Sequence, residues 1–336
     1  MLARIAWTVS AVYILINILM IRWASQRPPF HFNDDEAHFN ATLAKILKPR
    51  YHGSLGHAQV RRFLAQELKK LGFMVVQNKF REGVNFTNVV AYWNPGVEHV
   101  IMLSCHYDTE TPRLKNKTYW GATDGAVPCA ILLNVAKTMG EYLKNDLSLR
   151  MDVGLALVFF DGHKPLLTDP ENEVRLIGSR HFVEVDFIPL ENIILAINLN
   201  LIGLANESYF SYHNDTADLH FKISDLEQEL WESKQLTGGP VLFHKLQHYN
   251  KDQPDDDYPF HEQGVPVLHI SPEINPKIHH TTADIKENLH WPTIRNMIKI
   301  LRKFLYDYLR SQEFDSPHRG EAMFMYQDEG ENILFY

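Results

Sequence analysis

The sequence predicts a single α/β domain whose central sheet is mixed but mostly parallel and is flanked by helices. Short apolar runs rich in Val, Ile, Leu and Phe lack clean alternation with polar residues, which is typical of strands buried on both faces of a sheet. Stretches of helical periodicity lie between these runs, and such alternation indicates one α/β domain. The 336 residues suffice for one large domain with an ample core.

Helices are predicted over residues 37–47, 57–71, 126–143, 218–233 and 292–309. The second is the clearest, because Val60, Leu64 and Leu68 fall on one face at helical spacing. Gly72 ends it as a C-cap would. Strands are predicted over 73–76, 88–92, 99–105, 153–160, 193–202 and 265–270. The domain thus spans about 34–310, and a polar tail over 311–336 either adds a strand or stays loose.

The N-terminal segment, residues 1–28, is predicted to be a targeting element followed by a linker. Residues 5–21 carry no charge and lie between Arg4 and Arg22, a length at the edge of what crosses a membrane. A cleaved signal peptide has a similar start, but Arg22 and Trp23 make a poor cleavage site. An uncleaved signal anchor is favoured over a buried core helix, so we expect a single-pass protein of the ER or Golgi lumen, secreted if the segment is cleaved.

Two further features agree with entry into the secretory pathway. Five N-x-[ST] sequons are candidate glycosylation sites, at Asn40, Asn85, Asn116, Asn206 and Asn214. Only two cysteines occur, Cys105 and Cys129, and they either pair in an oxidising lumen or remain as buried thiols.

The charge balance argues against a nucleic-acid-binding protein. The chain has 33 basic and 41 acidic residues, a formal net charge of −8, and no basic stripe. Nucleic-acid binders need a concentration of positive charge against phosphates, and none is present. We therefore expect no nucleic-acid partner.

Polar clusters follow the predicted strands at their carboxyl ends, where ligands bind in open α/β sheets. They indicate an active site assembled from separate loops: His106 and Asp108, then Asp161 to Lys164, Asn200, and the pair His279 and His280.

Several motifs together resemble glutaminyl-peptide cyclotransferases (glutaminyl cyclases), which belong to the M28 type of zinc aminopeptidases. They include His106-Tyr107-Asp108, Gly121-Ala122-Thr123-Asp124-Gly125, Phe159-Phe160-Asp161-Gly162, Gly178-Ser179-Arg180-His181 and Gly264-Val265-Pro266-Val267. The resemblance runs in order from about residue 57 to residue 309. It implies a zinc-dependent reaction on peptides or proteins that begin with glutamine: the α-amine attacks the γ-amide to give pyroglutamate and ammonia. It also implies a Cys105–Cys129 disulfide.

The resemblance assigns zinc ligands to Asp124 and His280, but the third ligand, a glutamate in the family, aligns with Lys164. A protonated amine has no lone pair for a metal. Three interpretations of Lys164 are open. It is a surface lysine, or its ammonium stands where zinc stood and pairs with Asp124, or zinc is held by a rebuilt set of Asp124, His163 and His280. The pairing is preferred because it keeps a buried carboxylate compensated.

Other aligned positions also depart from the family. The proton-shuttling glutamate aligns with His163, whose imidazole suits proton transfer, and an aspartate aligns with Asn200. The tryptophan before the ligand histidine is His279, while Asp256 matches the family's carboxylate.

For two groups a structural role competes with the functional one. His106 and Asp108 are either part of a second metal site or hydrogen-bonded structural residues, the latter being preferred. The acidic run Asp255 to Asp257 either belongs to the site or is a solvated loop, as charge runs usually are.

Three functions follow. The chain is a membrane-anchored glutaminyl cyclase with zinc on Asp124 and His280 and His163 as proton shuttle. Alternatively, it is a non-catalytic descendant that binds peptide N-termini or a protein partner. A third possibility, an M28-type aminopeptidase, is weaker because the site lacks the carboxylates for a metal-bound hydroxide and its base.

Overall fold

The computed structural model describes residues 30–112, 117–166, 175–247, 254–273 and 277–311. The chain divides after Asn33, and all elements below belong to the unit that begins at Asp34. The predicted signal anchor, the sequon at Asn116 and residues 312–336 of the predicted tail lie outside the described residues. Within those ranges, no helix combines the length and the apolar character needed to cross a membrane.

Eight strands and eight α-helices are described in these ranges. The strands are β1 Met74–Glu82, β2 Val84–Trp93, β3 His99–His106, β4 Val153–Phe160, β5 Ile193–Leu199, β6 Tyr209–Ser211, β7 Phe243–Gln247 and β8 Val267–Ile270. The α-helices are α1 Glu36–Ile46, α2 Leu55–Lys70, α3 Val127–Thr138, α4 Gly140–Asn145, α5 Ile177–Glu184, α6 Ala217–Glu232, α7 Tyr258–Glu262 and α8 Trp291–Arg310.

The central sheet has six strands in the order β1-β2-β4-β3-β5-β8, which confirms the predicted mixed α/β sheet. Strand β4 pairs in parallel with β3, β3 with β5, and β5 with β8. Strands β1 and β2 add an antiparallel edge. A separate parallel pair, β6 and β7, lies outside this sheet.

The central strands β3 and β4 are buried in the apolar core, and polar residues follow at their carboxyl ends. Strand β4 is buried along its whole length, as is β3 except for His99. In the register of the two strands, Cys105 lies opposite Phe159 and His106 opposite Phe160. Their carboxyl ends therefore deliver neighbouring loops to one edge of the sheet.

Some predicted boundaries were wrong. Strand β1 runs to Glu82 instead of 76 and is largely exposed, because it is an edge strand and accepts polar residues. The predicted 126–143 helix is two helices, separated at Met139, where Gly140, a poor helix former, begins the second. The strand predicted to reach residue 202 ends at Leu199, and helices α5 and α7 and strands β6 and β7 were not predicted.

Candidate functional site

A tight turn after β3 fixes Asp124. The backbone N–H groups of Thr123 and Asp124 donate to the carboxylate of Asp284, at 2.8 and 3.1 Å. Gly125 has φ of +96°, and a Cβ on it would lie 2.7 Å from the carbonyl oxygen of His106. Only glycine fits there, so the sequence around Asp124 is dictated by the turn as well as by the side chain it presents.

Arg50 holds the same turn from within the protein. Its guanidinium is fully buried and donates to the carbonyl oxygens of Tyr107 at 2.8 Å, Gly121 at 2.9 Å and Asp124 at 3.0 Å, as well as to that of Trp120. Burial lowers the pKa of Arg50 to about 10, while nearby carboxylates such as Asp124 oppose the shift. The group is therefore charged at neutral pH and neutralises part of the acidic surroundings.

The disulfide between Cys105 and Cys129 is present, as the resemblance implied. It joins the end of β3 to α3, the helix that follows the Asp124 turn. The cysteines are 24 positions apart, and in the loop-entropy description closing such a loop stabilises the fold by roughly 3.5 kcal/mol.

At the centre of the site the Lys164 ammonium lies against the two residues assigned to zinc. Its Nζ is 2.9 Å from Oδ1 of Asp124 and 3.1 Å from Nε2 of His280. The Lys164 and Asp124 side chains are 4% and 6% exposed, so Lys164 is not a surface lysine. His280 has φ of +57°, a backbone conformation uncommon outside glycine that recurs at functional sites.

The protonation states agree with this contact. Burial alone would raise the pKa of Asp124, but the Lys164 ammonium and the His106 hydrogen bond hold it well below its usual value. Burial likewise opposes the charge on Lys164, yet Asp124 raises the Lys164 pKa. Burial and the Lys164 charge lower the pKa of His280 to about 3, so its ring is neutral at pH 7. The ammonium therefore donates to a carboxylate and to an imidazole lone pair.

His106 occupies the other side of the Asp124 carboxylate. Its Nε2 lies 3.0 Å from Oδ1 of Asp124 and 3.3 Å from Oδ1 of Asn200, and its Nδ1 is 3.4 Å from Oδ1 of Asp108. Burial disfavours the imidazolium, but Asp108 and Asp124 raise the pKa of His106 to about 10. Asp108 also accepts from the backbone N–H of Lys164 at 2.8 Å. These contacts give both residues the hydrogen-bonded structural arrangement preferred from the sequence.

His163 contacts Asp256 and His106. Its Nδ1 is 3.0 Å from Oδ2 of Asp256, and its ring stacks on His106 with centroids 4.0 Å apart. The other oxygen of Asp256 accepts from the hydroxyl of Ser179 at 2.6 Å. Among the described residues, the possible metal ligands close to Asp124 and His280 include His279 and not His163, so the rebuilt set of Asp124, His163 and His280 is not formed.

The acidic run Asp255 to Asp257 is buried, so the solvated-loop alternative is wrong. Distant partners satisfy it: the Asn200 amide donates to Asp255 at 2.7 Å, and His269 lies 2.9 Å from Asp257. Burial opposes the charge on His269, but Asp257 raises its pKa to about 9.

The donor set around Asp124 does not fit a zinc ion as it stands. Asp124, His279 and His280 each offer a ligand atom within 4.8 Å of the others. Zinc binds such atoms at about 2.0–2.2 Å. The Lys164 ammonium, however, already contacts two of the three residues, carries no lone pair and would repel a dication.

The structure thus brings together the residues to which the resemblance assigned a role in the site, whereas Asp161, predicted at the same sheet edge, bonds to His57 and to the backbone of Thr87 instead. Asp124, Lys164 and His280 form one contact group, and His163 with Asp256 forms the next. Asn200 and His106 connect the two groups through Asp124, Asp255 and the His106–His163 stack. Asp284 and Arg50 were missed, because nothing in their local sequence marks a residue that caps a turn formed far along the chain.

Comparisons with known proteins identify the family and the fold. The profile of Peptidase family M28 matches residues 88–305. A glutaminyl-peptide cyclotransferase-like protein of Bos taurus is 32% identical over 289 residues, which span 81% of this chain and 75% of the relative. One from Mus musculus is 33% identical over 297 residues, with 82% and 76% covered. The crystal structure of Macrostomum lignano glutaminyl cyclase matches in fold with a TM-score of 0.73 at 24% identity, over 83% of this chain and 91% of that one.

Proposed function

This chain belongs to the glutaminyl-peptide cyclotransferase family within Peptidase family M28, and we propose that it binds peptide N-termini without converting N-terminal glutamine to pyroglutamate. The observation that carries this proposal is the Lys164 Nζ, which lies 2.9 Å from Asp124 and 3.1 Å from His280. An ammonium there supplies a positive charge and hydrogen-bond donors but no Lewis acid. The site therefore keeps means to hold a substrate carbonyl and lacks the metal that would polarise it.

Binding without turnover follows from how Lys164 is engaged. An ammonium has three protons, and the contacts with Asp124 and His280 use two of them. The third can meet the γ-carbonyl oxygen of an N-terminal glutamine. Because the charge is shared with a carboxylate at 2.9 Å, it stabilises an oxyanion less than a zinc dication would.

The site retains a group that can accept a proton from the substrate amine. His163 lies 3.0 Å from Asp256 in a buried position, and an imidazole held by a carboxylate can accept a proton from an α-ammonium group. A peptide amine can therefore be bound in this cleft by groups that match its charge. What is missing is electrophilic activation of the amide.

The test compares the parent with Lys164→Glu, which restores a carboxylate at the third ligand position. We expect the parent to bind a labelled peptide that begins with glutamine more tightly than its alanine-led counterpart and to release no ammonia from it. In equilibrium dialysis against a zinc buffer, Lys164→Glu should bind one zinc more than the parent, whereas Lys164→Gln, which removes the charge without adding a carboxylate, should bind no more than the parent. Ammonia release by the parent would refute the proposal, as would equal binding of the two peptides.

A second candidate function is a metal-dependent cyclase on a rebuilt site, favoured by His279. Its Nε2 is buried 3.7 Å from Oδ2 of Asp124 and has no hydrogen-bond partner among the described residues. If Lys164 moved aside, Asp124, His279 and His280 could hold zinc. His279→Gln separates the candidates, because it should abolish ammonia release in a rebuilt cyclase and leave peptide binding in the non-cyclising protein.

We also propose that the protein resides in the secretory pathway. Four of the five sequons lie in described parts of the chain, and each of these is exposed: Asn40, Asn85, Asn206 and Asn214. The Cys105–Cys129 disulfide supports an oxidising compartment. Removal of N-glycans by peptide N-glycosidase should increase the mobility of protein expressed in animal cells, and an unchanged mobility would contradict this location.

A further inference from the structure

A second group of metal-ligating side chains lies apart from the Lys164–Asp124 pair. One ring nitrogen of His52, one of His57 and one carboxylate oxygen of Asp161 all fall within 4.8 Å of one another. His52 precedes α2, His57 lies in the first turn of α2, and Asp161 directly follows β4. We propose that His52, His57 and Asp161 form a binding site for a divalent transition-metal ion, for which zinc is the best match.

Two of the three ligands are already in place. Nε2 of His57 lies 2.8 Å from Oδ1 of Asp161, and both side chains are buried. In tetrahedral zinc sites neighbouring ligand atoms are about 3.3 Å apart, so a metal would separate this pair by about 0.5 Å. That displacement is small enough for side-chain rotation alone.

Surrounding hydrogen bonds fix these two ligands as outer partners do in known metal sites. The second oxygen of Asp161 accepts from the backbone N–H of Thr87 at 2.9 Å, and the Asp161 N–H donates to the Asn88 side chain at 2.9 Å. The backbone of His57 is held by the helix cap, because its N–H donates to Ser54 Oγ at 3.1 Å.

His52 supplies the third ligand. Its Nδ1 is buried and has no hydrogen-bond partner in the described ranges. A buried polar atom left without a partner is destabilising, and a bond to a metal would give it one. Gly53, with φ of +78°, turns the chain between His52 and the helix.

The chemistry of the group selects the ion. Two imidazoles and one carboxylate suit zinc, whereas calcium and magnesium require mostly oxygen ligands. Three protein ligands leave a fourth position for water or an external ligand. The His52 ring also contacts Phe86, with centroids 4.6 Å apart, so one wall of the site is apolar.

The experiment uses the purified full chain after chelator treatment and desalting. Zinc bound per chain is measured by mass spectrometry after dialysis against a zinc buffer, and cobalt(II) serves as a spectroscopic probe of four-coordination. The parent, His52→Gln and His279→Gln are compared. His279→Gln is the matched control because it removes one histidine from the group around Asp124. His52→Gln should fold, since Nδ1 of this half-buried side chain bonds to no described residue; circular dichroism checks this in metal-free buffer.

We expect about one zinc in the parent and in His279→Gln, and at least about 100-fold weaker binding in His52→Gln. Zinc should raise the melting temperature of the parent and not that of His52→Gln. A parent that binds no zinc, or a His52→Gln variant that binds it as tightly as the parent, would overturn the site. Loss of zinc in His279→Gln alone would place the metal on Asp124, and would overturn both this site and the proposed replacement of zinc by Lys164.

Discussion

The ion pair between Lys164 and Asp124 is buried, so its loss should destabilise the protein more than the loss of a surface ion pair. Nζ and Oδ1 are 2.9 Å apart, and the two side chains are 4% and 6% exposed. At an effective dielectric constant of about 20, the Coulomb attraction at this distance is about 6 kcal/mol, much of which offsets the desolvation of both groups. Removing one partner of such a pair leaves a buried charge uncompensated, which costs about 3–5 kcal/mol.

We expect Lys164→Met to lower the free energy of unfolding by about 3 kcal/mol. The lower end of the range applies because the His106 imidazolium, 3.0 Å from Asp124, still compensates part of the carboxylate charge. Asp124→Asn should behave similarly, and the double variant should lose about 2 kcal/mol less than the sum of the two. Urea unfolding at pH 7 in metal-free buffer, followed by circular dichroism, measures all three.

The control is Lys245→Met. Lys245 lies 2.6 Å from Asp225, but these side chains are 51% and 55% exposed, so its loss should cost at most about 1 kcal/mol. Equal losses for Lys164→Met and Lys245→Met would refute the reasoning. So would strict additivity of Lys164→Met and Asp124→Asn, since it would mean that the two charges do not interact.

Three further predictions follow. In a His52→Gln background, zinc should raise the urea midpoint of Lys164→Glu and EDTA should lower it. The free energy of unfolding should increase by about 2.7 kcal/mol at a zinc concentration of 100 Kd. A urea midpoint that does not respond to zinc would contradict this prediction. In the folded state Asp257 raises the pKa of His269 to about 9. The protonated His269 therefore stabilises the fold fully below pH 6.5, and this contribution of about 3 kcal/mol to the free energy of unfolding is lost as the pH rises to about 9. His269→Asn should remove that part of the pH dependence of unfolding, and an unchanged pH profile would contradict it. Gly125→Ala should cost at least about 2 kcal/mol in urea unfolding because φ is +96°, and a cost near zero would mean that the turn relaxes.

The sequence was most informative where local pattern and fold agree. Helix α8 was predicted over 292–309 and spans Trp291–Arg310, because an apolar stripe and a proline in the first turn both mark it. The strands β3 and β4 were predicted within one residue, since uninterrupted apolar runs are what a doubly covered parallel sheet requires.

The sequence was least informative where burial depends on distant partners. The run Asp255 to Asp257 resembles a solvated loop, yet Asn200 and His269 satisfy it from separate strand ends. The contact between His57 and Asp161 joins positions 104 residues apart, and no local pattern indicates it. The family alignment could place Lys164 in the site, but only the geometry shows which atoms its ammonium contacts.

The proposed replacement of zinc by Lys164 would keep the formal charge of the site unchanged. A zinc dication with one aspartate and one glutamate sums to zero, and so does the Lys164 ammonium with Asp124. Losing the metal while keeping the glutamate would have left two carboxylates facing each other in a buried place, whereas replacing the glutamate by lysine removes one negative charge and adds one positive charge in a single position. His106, which stays charged between Asp108 and Asp124, therefore meets the same net charge in either arrangement. The surrounding hydrogen bonds can persist, so an intact fold and an intact Asp124 turn do not by themselves indicate a functioning metal centre.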